Sequence, residues 1–186
     1  MSGKPKSTAV RSKRPKILVI GLGNFLLRDD GVGIHAVRRF QQLTPRPCQA
    51  VEIGTAVFHA VPLLERADRV LAFDAIEADC RPGSVYLLRS EDVGLEDKYD
   101  SLHEMGLPKV LQTLRRTPTE VVIVGAEPQT IEWGTDLSPA LDAAANLMVA
   151  TAQKVIAAWQ KPDAEEQQLD FAKMFHNSRF EIRDSK

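Results

Sequence analysis

Short unbroken apolar runs alternate along the chain with stretches whose apolar positions recur every three or four residues. Ile17-Leu18-Val19-Ile20 is the first run. Arg69-Val70-Leu71-Ala72-Phe73 ends in Asp74, and Val121-Val122-Ile123-Val124 ends in Gly125. Runs this short, rich in β-branched residues and without polar alternation, suit strands buried on both faces of a sheet. Ala50-Val51-Glu52-Ile53 is a weaker strand signal. Ser84-Val85-Tyr86-Leu87-Leu88 follows Pro82-Gly83, a turn signal, and is expected to run antiparallel. Between the runs, residues 32–43 put Val32, Ala36, Val37, Phe40 and Leu43 on one helical face. Residues 60–67 and 107–114 predict two shorter helices. Residues 139–159 predict the longest, opened by Ser138 as N-cap and Pro139 at the first helical position.

Strands alternating with helices predict an α/β fold. The expected form is a three-layer sandwich: a twisted, mostly parallel sheet of about five strands, one antiparallel, with helices on both faces. The organisation expected is a disordered basic tail over 1–15, a single α/β domain over 16–160, and a charged extension over 161–186. That extension reads either as a short helix at 165–175 or as a mobile tail.

Composition narrows the functional classes. The 186 residues carry 24 Lys+Arg against 25 Asp+Glu, a formal net charge of −1, which does not suit a general nucleic-acid or membrane binder. No apolar run approaches the roughly 18 residues of a membrane span. Two cysteines, Cys48 and Cys80, form neither a disulfide framework nor a zinc or redox motif, so a cytoplasmic setting is expected.

The candidate chemistry begins after the first strand, in Gly21-Leu22-Gly23-Asn24-Phe25-Leu26-Leu27-Arg28-Asp29-Asp30-Gly31-Val32-Gly33. Strand, glycine turn and helix suggest a dinucleotide site, but Leu26 stands where the fingerprint needs glycine. Asp29 and Asp30 at the helix start would also repel a pyrophosphate, so no nucleotide is expected. One acid can cap the helix, which leaves the other available to a cation or polar ligand. Asp74 is a second such acid, ending an apolar strand at the side of the sheet where α/β proteins bind ligands; its ordinary reading is a loop cap. Of four histidines, His103 sits in a loop between a strand and a helix, where it is ordinarily a surface residue. Two carboxylates and one imidazole would make a site for a divalent transition metal with open positions.

These residues resemble the hydrogenase maturation proteases, endopeptidases that trim the large subunit of nickel-iron hydrogenases. The resemblance covers residues 17–158. The segment from Gly21 to Gly33 matches the family's GxGNxLxxD[DE]GxG opening. Asp74-Ala75 follows an apolar strand, His103 to Leu107 fits H-x-x-G-L, and Val124-Gly125-Ala126-Glu127-Pro128 leads to Leu137-Ser138-Pro139. The resemblance implies that Asp30, Asp74 and His103 are the catalytic and metal-contacting positions, and that the metal is nickel carried by the substrate. It implies a hydrogenase large-subunit precursor as partner; the charge balance leads us to expect no nucleic-acid or membrane partner, and a monomer is the default expectation. Asn24, Asp29, Gly54 and Thr55 are weaker candidates for positioning the substrate. One stretch departs from the family: its Asp-Gly-Gly-Thr run reads Glu52-Ile53-Gly54-Thr55 here.

The chemistry expected is attack of water on a peptide carbonyl. A divalent metal polarises the carbonyl or activates water, and a carboxylate serves as base. Asp74 and His103 are assigned mainly to metal contact, Asp30 to metal contact with a base role. No HExxH or GxSxG occurs, which argues against a zincin or a serine hydrolase. The alternative is a non-catalytic docking protein or metallochaperone of hydrogenase assembly.

Overall fold

The computed structural model describes residues 15–43, 48–89, 106–161 and 180–181. Five strands form one sheet: β1 (Ile17–Leu22), β2 (Gln49–Gly54), β3 (Arg69–Ala75), β4 (Val85–Arg89) and β5 (Glu120–Ala126). The two-residue β6 (Phe180–Glu181) joins its edge. The order is β2-β1-β3-β5-β4-β6. β1, β2, β3 and β5 are parallel, and β4 lies antiparallel to β5, as the turn at Pro82-Gly83 predicts. β6 runs beside β4, so two residues of the C-terminal extension belong to the sheet. The helix considered at 165–175 lies outside the described residues, as does all but Pro15 of the basic tail.

Alternation along the strands sorts the core into two layers. Ile17 and Val19 of β1, Leu71 and Phe73 of β3, and Val122 and Val124 of β5 face α1 (Val32–Gln41) and α4 (Pro139–Trp159). Leu18, Ile20, Val70, Ala72, Val121 and Ile123 face α2 (Val61–Leu64) and α3 (Leu107–Leu111). The result is the expected three-layer α/β sandwich. Both sheet faces are covered, which is why the central strands read as apolar without alternation.

α4 spans the predicted residues, with the Ser138 hydroxyl accepting from the Leu141 amide at 3.4 Å. The helix expected over 60–67 is shorter. A 3-10 turn, Val57–Ala60, takes its place at the start, and α2 holds four residues with Pro62 in its first turn. Among the described residues, no helix is long and apolar enough to cross a membrane.

β1 leads through α1 to β2 on one side, and the chain then crosses to β3 on the other. The carboxyl ends of β1 and β3 therefore diverge into loops of opposite course. Such a switch point leaves a crevice where α/β proteins bind ligands.

Candidate active site at the switch point

Both predicted carboxylates stand at this crevice. Asp74 occupies the penultimate position of β3, opposite Gly125 of β5. Asp30 belongs to a short 3-10 turn, Arg28–Gly31, between β1 and α1. Glycines make that approach possible. A Cβ on Gly33 would overlap the carbonyl oxygens of Leu22 and Phe73, so only glycine lets α1 start this close to the ends of β1 and β3. Gly23, at φ 103°, turns the chain beneath the Asp30 carbonyl, where any side chain would overlap it.

Asp30 is 4% exposed, and its carboxylate accepts the Asn24 amide at 2.7 Å. Asp74 accepts the amide of Ala75 at 2.9 Å. Burial pushes the Asp74 carboxyl up to about 7; the Ala75 amide opposes the shift and the negative charge of Asp30 adds to it. The two acids, 44 positions apart, therefore sense one another electrostatically. Two carboxylates whose charges repel each raise the cost of ionising the other. Among the described residues, no three acidic, histidine or cysteine side chains gather into a metal-binding group. His103 lies outside the described residues.

From the sequence, Asp29 is a weaker candidate for positioning the substrate, and either it or Asp30 is open to capping α1. Asp29 is 0% exposed and accepts the amides of Gln129, Thr130 and Ser138 at 3.0, 3.1 and 2.7 Å. These three partners are backbone groups of the segment that leads into α4, so the Asp29 carboxylate ties that segment to the turn between β1 and α1. Neither acid caps α1, whose N-cap is Gly31.

Asn24, Gly54 and Thr55 do come together. They line an open groove of about 330 Å³ with Phe25, Arg38, Glu52 and others. The Asn24 side chain accepts the Leu26 amide at 3.0 Å, which fixes the turn whose amide holds Asp30. Arg38 pairs with Glu52 at 2.9 Å and lies 4.3 Å over the Phe25 ring. The departure from the family run falls at this groove. Register between β1 and β2 slips between Gly21↔Glu52 and Leu22↔Gly54, which leaves Ile53 as the extra residue, and Gly54 follows at φ 65°.

Some site residues escaped sequence reading. Glu127, 6% exposed, accepts the Tyr86 hydroxyl at 2.6 Å and the Ala78 amide at 2.9 Å, tying the loop after Asp74 to the end of β5. Trp133 projects from the segment that Asp29 anchors. The signal for Glu127 was present, as an acid ending an apolar strand like Asp74. Nothing local marks Trp133.

Solved structures with this architecture include endopeptidases. One is the hydrogenase maturating endopeptidase HybD from Escherichia coli, at 28% identity and a TM-score of 0.69, covering 76% of this chain and 92% of that one. Another is the [NiFe] hydrogenase maturation protease HybD from Thermococcus kodakarensis, at 27% identity and a TM-score of 0.65, covering 76% and 99%. Fold and site thus define an endopeptidase, a hydrolase of peptide bonds. The hydrogenase maturation protease family matches residues 34–155. The hydrogenase expression/formation protein HupD of Bradyrhizobium diazoefficiens is 32% identical over 92% of this chain and 97% of its own length. The hydrogenase 2 maturation protease of Escherichia coli is 31% identical over 81% and 94%. The chain belongs to the hydrogenase maturation protease family.

Proposed function

We propose that this endopeptidase removes the C-terminal extension of a nickel-iron hydrogenase large-subunit precursor after nickel insertion, recognising the nickel that the substrate carries. The observation that supports this most is the electrostatic coupling of buried Asp30 and half-buried Asp74, with Asp74 drawn up to about 7. Two mutually repelling acids at a strand end are costly, and a cation delivered with the substrate offsets that cost. His103 is the third proposed contact to the metal. An empty precursor lacks the cation and binds less well, so cutting follows metal loading by differential affinity.

Hydrolysis needs a base for water and an acid for the leaving amine. The Asp30/Asp74 pair takes a proton from water near neutral pH, where a carboxyl of raised pKa is an effective base, and returns it to the amine. Asn24, Gly54 and Thr55, along the adjoining groove, position the chain to be cut. The enzyme acts as a monomer in the cytoplasm.

Purified protein is mixed with cognate precursor, nickel-loaded or nickel-free, and mass spectrometry reads the precursor's C-terminus. A single cut confined to the loaded form is expected. His103→Ala is expected to abolish it with thermal stability unchanged. Equal cutting of both forms would overturn the metal-gated reading. Binding of loaded precursor without any cut would favour the docking function instead.

A further inference from the structure

Trp133 keeps 80% of its surface in water, and Leu26 keeps 51%. A tryptophan so exposed forgoes one of the largest apolar burials available to a side chain. Single exposed apolar residues are common on surfaces, but these two are held together on a rigid mount. The Gly134 amide donates to the Leu26 carbonyl at 3.0 Å, and the Arg28 amide donates to the Gly134 carbonyl at 2.9 Å. Leu27 and Gly134 form an isolated parallel bridge. Arg28 pairs with Glu132 at 3.4 Å, and His35 Nε2 donates to the Thr135 carbonyl at 3.0 Å. Arg28 itself sits at φ 47°, a conformation non-glycine residues rarely hold without tertiary support.

The same two segments hold the site. Asp29 and Asp30 follow Leu26 by three and four residues, and Asp29 binds the amides of Gln129 and Thr130 just before Trp133. The apolar pair therefore stands on the two joined segments that carry Asp30, and a polypeptide reaching the acid pair of an endopeptidase would pass near them. With Arg28 paired to Glu132 and Asp136 exposed, the surroundings of Trp133 carry no excess of positive charge to draw it to an anionic membrane surface.

We propose that Trp133 and Leu26 form the platform on which the body of the polypeptide substrate docks, receiving an apolar surface of the precursor beside the segment to be cut. The proposal rests on the reading that the precursor enters the Asp30/Asp74 crevice. Docking at the rim selects the precursor as a folded protein, whereas the acid pair reads its metal. An exposed aromatic on a rigid loop is well suited to anchoring, because little side-chain entropy is lost when it is covered.

The test measures Kd for nickel-loaded cognate precursor, and KM and kcat for its cleavage, in wild type, Trp133→Ala, Trp133→Phe and the Leu26→Ala/Trp133→Ala double variant. Trp133→Ala is expected to weaken binding and raise KM by about tenfold or more, with kcat altered less than twofold. Trp133→Phe is expected to recover most of the loss. Melting temperature is expected to hold in all three, since both side chains are exposed. Unchanged Kd and KM in the double variant, with wild type cutting normally, would overturn the platform and leave the proposed function standing. Weaker binding by Trp133→Ala where wild type binds but does not cut would support the platform and remove the proteolytic reading. Absence of any wild-type binding would overturn both. A wild-type dimer that Trp133→Ala dissolves would also overturn the platform, by assigning the patch to a second copy.

Discussion

Two aspartates bracket β3, Asp68 just before it and Asp74 at its carboxyl end, and their surroundings differ in sign. Asp68 accepts the Lys16 amide and the Arg116 guanidinium, both at 2.7 Å. The Lys16 amide first and then Arg116 hold its carboxyl below the usual range, against the opposing effect of burial. Asp74 has the amide of Ala75 for a partner, and burial with the charge of Asp30 pushes it up to about 7. One end of the strand therefore spends its carboxylate on holding β1, β3 and the 114–119 turn together. The other end keeps a carboxylate that would be better solvated outside the fold. Stability at one end and chemistry at the other come from the same residue type on the same strand. The partners supplied by neighbouring segments make the difference.

The contrast can be tested hardest at Asp74. Asp74→Asn is expected to reduce processing of loaded precursor by about a thousandfold or more, measured as kcat/KM. The same variant is expected to be more stable than wild type. Folding raises the proton affinity of Asp74 above that of an unfolded-chain carboxyl. Its favourable contribution is complete below about pH 4 and is lost as pH rises to about 7. The variant escapes that loss, so calorimetry at pH 8 is expected to show a gain on the order of 2 kcal/mol that fades by pH 4. Equal stabilities at pH 8 would show that Asp74 is not electrostatically strained.

Asp29 sharpens the comparison from within the site loop. Asp29→Ala leaves three backbone amides without their acceptor in a buried position, which is expected to cost on the order of 3 kcal/mol in denaturant unfolding. Asp30→Ala is expected to cost less in stability and to abolish processing. The reverse pattern would exchange the roles assigned to the two neighbours.

Asp68 gives the smallest effect. Asp68→Asn is expected to cost under about 1 kcal/mol at pH 7, because the pair with Arg116 is partly exposed. The sign is opposite to that of Asp74. A lowered carboxyl contributes stability above the unfolded-chain value and loses it as pH falls through the folded value, so the two proteins are expected to converge in acid. Thermal melts from pH 7 to 3 check this. A difference that grew on acidification would reverse the assignment.

Much of the architecture was legible locally. Residues 139–159 became α4 without adjustment because a hydroxyl cap and a first-turn proline act within four residues of the helix start. The run at 85–89 turned antiparallel because Pro82-Gly83 brings the chain back at once. α2 was overestimated because apolar spacing at 60–67 does not register that Val57–Ala60 adopts the tighter 3-10 winding. The buried bonds of Asp29 were not legible because its partners lie 100 to 109 residues away, and a local cap, which the structure does not form, was the nearest use for an acid at a helix start.

The sequence by itself determined the periodicities, the glycines at 23 and 33 that allow close approach, and the presence of acids at two strand ends. These are local properties, set by sterics and by side-chain chemistry within a few residues. Only the tertiary structure decided that Asp30 and Asp74 share a crevice, that Asp29 serves the loop before α4, and that Trp133 stands exposed beside Leu26. Those outcomes depend on strand order and crossover direction, which bring together segments 44 to more than 100 residues apart. Burial and neighbouring charge then separate the properties of identical side chains.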